Sequence, residues 1–153
     1  MDPKNYFHTR TTYSLQRLDY LVALVALSGL ALLHGDEIRW GPFLLAFVWI
    51  DLLGYVPGLI WYKRSRAMGD RTPFVFALLY NTTHSFSVNA LVIGIWYLEI
   101  GGWEWAMLAG PIHLLGDRGI FGNIYKPVGL AFEPSRHPLF ERFTSDFRRA
   151  AQG

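Results

Sequence analysis

The sequence predicts an all-α protein: a four-helix transmembrane bundle with short loops and an amphipathic C-terminal tail. Three observations predict it. Apolar residues make up 52% of the chain against 17% charged, and mean hydropathy is positive at +0.20, which is unusual for a soluble domain. Four apolar segments recur, each near the ~20 residues that cross a bilayer. Thirteen of the 14 Lys and Arg residues fall on one side of those segments. Six Trp, eight Tyr and 11 Phe supply the aromatic belts of membrane interfaces.

The elements follow in order. The polar start, MDPKNYFHTRTTYSLQR, carries no signal-peptide pattern. The first segment covers residues 18–34, LDYLVALVALSGLALLH, with Asp19 and Tyr20 at headgroup level. The second covers 42–62, PFLLAFVWIDLLGYVPGLIWY. The third covers 73–100 and reads as one continuous crossing. The fourth covers 103–122, where Gly116, Gly119 and Gly122 interrupt the apolar pattern. In the tail, residues 132–153, Leu139, Phe140, Phe143 and Phe147 share one helical face. Arg142, Arg148 and Arg149 turn towards lipid phosphates. The chain thus reads as one integral membrane unit, residues 1–153, with the lipid bilayer as its first partner.

Charge sets the orientation. Only Arg39 lies in the two short acidic loops, GDEIRW and EIGGWEW. The positive-inside rule then puts both termini in the cytoplasm of a multi-pass protein in a bacterial inner membrane. A net charge of +2 gives no support to nucleic-acid binding. The absence of Cys excludes disulfides, thiolate metal sites and cysteine nucleophiles.

Against that apolar background the polar residues at membrane depth need a reason, since an Asp at a helix centre costs about 2.5 to 3.5 kcal/mol to insert. Asp51 lies about 14 Å below the outer face, His84 at about the same depth, and His113 about 15 Å down, at 1.5 Å per residue. Asp117 and Asn81 lie one turn nearer the cytoplasm. Faces agree with depths, because residues three and four apart share a helix side. Asp51 pairs with Tyr55, and His113 with Asp117. Asn81, His84, Ser85 and Asn89 form a stripe, one wall of a polar cavity between segments two, three and four that opens to the cytoplasm. His8, His34 and His137 fall outside it.

Two His and two Asp from three helices match the donor set of a divalent transition metal, Zn, Fe or Mn. His84, His113 and Asp117 are the expected ligands, and Asp51 a ligand or general base with Tyr55 beside it. Asn81, Ser85 and Asn89, with Arg118 and Lys126, are expected to orient ligands or bind substrate. The chemistry this permits is a metal-assisted reaction on a lipid-like or hydrophobic molecule. Three other uses of the same residues stay open: a polar network that fixes helix packing in a structural or accessory subunit, a haem between His84 and His113, and a proton or ion relay. No nucleophile elbow, phosphate loop or HExxH helix is present.

Read in order, DLLGY, YNTTHS, HLLGDRGIFGNIYK and FEPSRHPLF resemble the motifs of a family of small bacterial integral membrane proteins, the domain of unknown function 4260 family. Asp51, Tyr80, Asn81, His84, Ser85, His113, Asp117, Arg118 and Lys126 carry the resemblance, which spans residues 51–139. It implies a four-helix membrane protein with this polar set as its signature. It implies no particular reaction.

Overall fold

The computed structural model describes residues 10–65, 72–133 and 138–150. Every regular element among them is helical: α1 (Arg10–Leu33), α2 (Trp40–Ser65), α3 (Phe74–Thr83), α4 (Phe86–Ile100), α5 (Ala109–Gly116) and α6 (Pro138–Ala150). Two 3-10 turns, Gly35–Glu37 and Trp105–Leu108, join them, and a π-helical turn, Asp117–Phe121, prolongs α5. His8 and His137 lie outside the described residues.

Two helices are long and apolar enough to cross a membrane, Thr11–Leu33 and Trp40–Ser65. They extend the first two predicted segments by about one to two turns, because polar flanks such as TTYSLQR continue the helix without adding apolar signal. The third segment differs from the expectation of one continuous crossing, while the fourth, whose apolar pattern glycines interrupt, runs helical from Trp105 to Phe121 and changes helix type along the way. The third is broken at His84 and Ser85, where Ser85 turns extended at φ −86°, ψ 128°. Thr83 prepares the break: its hydroxyl donates to the carbonyls of Leu79 (3.0 Å) and Tyr80 (3.1 Å), a back-bond that bends helices. In the fourth, α5 has only eight residues between its two turns. Gly122 ends the π turn at φ +73°, a conformation that costs glycine nothing.

Packing is uneven. α2 lies chiefly on α3, and α1 on α5 and the π turn. Gly54 makes the α2–α3 approach possible, since a Cβ there would collide with Thr83 Oγ1. Gly110 of α5 does the same for Asn89 of α4. A small apolar core joins Ala31, Ile38 and Leu108. Most of the remaining apolar surface faces outward. Val25 is 71% exposed, Leu98 78%, and Leu32 and Leu33 81% each.

The two acidic loops are tied together. Arg39 donates from Nε and Nη2 to the Glu104 carboxylate, at 2.5 and 2.7 Å. Trp105 donates to Glu37 at 3.0 Å and stacks on His34 at 3.7 Å. The Arg39 hydrogen bonds hold the Glu104 carboxyl below its ordinary range, and those from His34 and Trp105 do the same for Glu37. Helix α6 carries Leu139, Phe140, Phe143 and Phe147 as exposed side chains along one stripe, as the tail pattern predicts.

Candidate metal centre

His84 is the C-cap of α3, and its backbone N–H still donates to the Tyr80 carbonyl at 2.9 Å. Its Nδ1 lies 2.9 Å from the Tyr80 carbonyl. A carbonyl only accepts, so Nδ1 carries the hydrogen and a neutral ring turns its Nε2 lone pair the other way. The Tyr80 ring stacks on the imidazole at 3.7 Å and fixes its plane. The backbone freed by the break is satisfied by Arg118, whose Nη2 donates to the His84 carbonyl at 3.2 Å. The Arg118 guanidinium is itself buried, over the rings of Phe86 (4.2 Å), Tyr125 (5.4 Å) and Tyr20 (5.6 Å).

What His84 Nε2 faces is two carboxylates. Nε2 lies 3.4 Å from Asp51 Oδ1 and 3.3 Å from Asp117 Oδ2. His113 Nε2 lies 3.7 Å from Asp51 Oδ2 and 3.4 Å from Asp117 Oδ2. The four side chains form a closed ring in which each carboxylate meets both imidazoles. All four distances exceed a good charged hydrogen bond, ~2.7 to 2.9 Å. Asp51 meets the two imidazoles through different oxygens, Oδ1 for His84 and Oδ2 for His113, whereas Asp117 meets both through Oδ2. One donor atom each from Asp51, His84 and His113 lies within 4.8 Å of the other two, so these three form a group that can hold a metal ion. Asp117 joins them through the two imidazoles.

Burial sharpens the point. The side chains of His84 and His113 are 3% and 6% exposed, and that of Asp117 17%. His113 Nε2, His113 Nδ1 and Asp117 Oδ2 are buried without a hydrogen-bond partner, each a cost of about 1 to 3 kcal/mol. A cation at the centre of the ring satisfies two of these three atoms, His113 Nε2 and Asp117 Oδ2. Asp51 differs, with 44% of its side chain exposed. It faces a groove of about 350 Å³ between α1, α2 and α5.

The other expected site residues go elsewhere. Tyr55 packs on Phe132 (5.8 Å) and Tyr80 (6.4 Å), one turn along α2 from Asp51. With those rings it boxes the Lys126 ammonium, which sits 4.7 to 5.4 Å from the three of them and pairs with Glu133 at 2.7 Å. Asn81 clamps the same segment. It accepts from the Lys126 backbone N–H at 2.7 Å and donates to the Lys126 carbonyl at 3.0 Å. Asn89 is buried against Gly110 with its Nδ2 unpartnered. Ser85 is the N-cap of α4 without a side-chain cap bond. The Asn–His–Ser–Asn stripe is therefore not one wall: Asn81 meets the Lys126 backbone, His84 the two carboxylates and Asn89 Gly110. Residues that sequence reasoning missed include Tyr80 as the seat of His84 and Arg17, which donates to the Gly119 and Ile120 carbonyls at 2.6 to 3.0 Å. No periodicity marks either role.

What the described residues define is a class: an all-helical protein with two helices long and apolar enough to cross a membrane and a group of Asp51, His84 and His113 that could hold a metal ion, with Asp117 against both imidazoles. Compared with known proteins, the chain matches no family model, no curated protein and no solved structure.

Proposed function

We propose that the chain is an integral membrane protein whose ring of Asp51, His84, His113 and Asp117 binds one divalent transition metal, Zn, Fe or Mn, and uses it in a metal-assisted reaction on a hydrophobic substrate. One observation carries this reading. The Nε2 atoms of His84 and His113 lie 3.3 to 3.7 Å from two carboxylates, too far for good charged hydrogen bonds and near enough to share an ion, while the Tyr80 carbonyl holds His84 Nδ1. The carboxylates favour a cation there, and imidazole with carboxylate selects Zn, Fe or Mn. Tyr80 supplies the carbonyl that fixes the tautomer, the usual support of a metal-bound His. A bound Zn would supply a water acidified to a pKa of about 7, and the other candidate ions a less acidic one. Asp51, the most exposed carboxylate of the ring, is placed to bind the ion or to take that water's proton.

The same geometry weighs against haem. Both carboxylates lie against both imidazole Nε2 atoms, in the gap a porphyrin between the rings has to fill. Elemental analysis of the purified protein, before and after chelator, tests the metal. The expected result is about one ion per chain, removed by strong chelation. A metal-free protein of unchanged stability supports the rival reading, a non-enzymatic subunit whose ring only fixes helix packing.

Membrane placement is supported by the two long apolar helices and by the apolar side chains that point away from the bundle. In the proposed topology α3 and α4 in tandem make the third crossing, and Trp105 to Phe121 the fourth. Broken helices are tolerated at membrane depth where protein covers the free backbone, as Arg118 covers the His84 carbonyl. The cation split places both termini in the cytoplasm of a bacterial inner membrane. A reporter fused after Gly153 is expected to be active in the cytoplasm. Periplasmic activity contradicts the four crossings. Kinship to the domain of unknown function 4260 family is part of this proposal and rests on the ordered motifs from Asp51 to Leu139.

A further inference from the structure

The metal-site reading leaves one matter untouched: what comes to the open side of the ring. The groove that Asp51 faces has a polar end, made by Asp51, His113 and Asp117, and apolar walls from Leu24, Phe47, Ile112, Ile120 and Phe121. Its volume of about 350 Å³ takes roughly a dozen groups the size of a water or a methylene, at about 30 Å³ each. It is shaped for one alkyl chain with a small head.

Charge decides the head. Two carboxylates cancel a divalent ion, so the loaded ring has no surplus positive charge. Among the described residues no Lys or Arg lines the groove. The cations nearby are each committed. Arg17 holds the Gly119 and Ile120 carbonyls, Arg118 holds the His84 carbonyl among aromatic rings, and Lys126 pairs with Glu133. A phosphate or carboxylate entering the groove finds no counter-ion, and burying an unpaired charge is costly. An alcohol, aldehyde or ester meets no such cost and still offers an oxygen to the ion.

Resting on the metal-site reading, we infer that the groove between α1, α2 and α5 binds a single-chain amphiphile with an uncharged oxygen head, its oxygen at the Asp51–His113–Asp117 end and its chain along Leu24 and Ile120. The exposed outer wall, with Ile120 54% and Phe121 71% exposed, lets the chain enter sideways from the bilayer.

The test is photolabelling of the full chain in bilayer nanodiscs. Three probes share one diazirine-bearing alkyl chain: the fatty alcohol, the fatty acid and the alkyl phosphate. Metal content is measured on the same samples. The expected result is that the alcohol labels peptides holding Leu24 and Ile120, that unlabelled alcohol competes, and that the two anions label about tenfold less, the ratio that 1.4 kcal/mol gives. Ile120→Trp fills the groove from its exposed side, so it is expected to fold, keep its metal and lose the labelling. Leu24→Trp does the same from α1. Equal labelling by all three probes, or labelling unchanged in both Trp variants, overturns the inference and leaves the metal site standing. A sample that holds no metal overturns the reading beneath it instead.

Discussion

Replacing His84 with Ala is expected to abolish metal retention and to leave the helical fold in place. This is the largest effect expected of any single change. His84 is the hinge of the donor ring, in contact with both carboxylates and seated by Tyr80. Loss of a residue that merely supports a ligand weakens metal binding by about 10- to 100-fold, and loss of the ligand itself exceeds that. Elemental analysis with circular dichroism of the same sample checks it. Asn81→Ala is the matched control, because Asn81 serves the Lys126 backbone and not the ring. It is expected to keep its metal. A ring that serves packing alone behaves otherwise: His84→Ala then changes no metal content and costs about 1 to 3 kcal/mol from buried polar groups left unpaired.

Gly54→Ala is expected to destabilise the protein by about 1 to 3 kcal/mol, the usual cost of overpacking a tight contact. A Cβ at Gly54 collides with Thr83 Oγ1 and comes within 3.2 Å of the His84 ring. Relief requires Thr83 to give up its bonds to the Leu79 and Tyr80 carbonyls, or His84 to leave its seat. Stability and metal retention should therefore fall together. Gly29→Ala in α1 is the contrast. Nothing lies within 4 Å of its added Cβ, so the helix gains roughly 0.5 to 1 kcal/mol from reduced backbone freedom. Thermal melts in detergent compare the two. Equal melting temperatures for Gly54→Ala and the parent would remove the α2–α3 contact from the account.

The sequence showed much of the site and less of the fold around it. Apolar runs and cation placement located the spans of α1 and α2 to within about two turns. Depth counting brought Asp51, His84 and His113 to one level and put Asp117 one turn below them, and the structure brings Asp117 against both imidazoles. The count tolerated the break in the third segment because α3 still carries His84 upward by helical rise. The break itself was hidden. NTTHS contains no Gly or Pro, and its cause is a Thr83 back-bond together with an Arg118 contact from 34 residues away. The stripe reading missed that Asn89 sits beyond the break, against Gly110, and that Asn81 is taken by the Lys126 backbone from 45 residues away. Tyr55 was assigned by i to i+4 spacing from Asp51, yet its neighbours are Lys126 and Phe132, which a single helix cannot reveal. The groove wall from α1 was also illegible, since Leu24 reads like every other lipid-facing leucine.

X-ray absorption at the edge of the retained metal tests the central claim most directly. The account predicts a light-atom shell of nitrogen and oxygen at about 2.0 to 2.2 Å, with the outer-shell scattering of two imidazoles that falls to one in His113→Ala or disappears with the metal. A spectrum without imidazole scattering, or one identical in the parent and in His113→Ala, would contradict it.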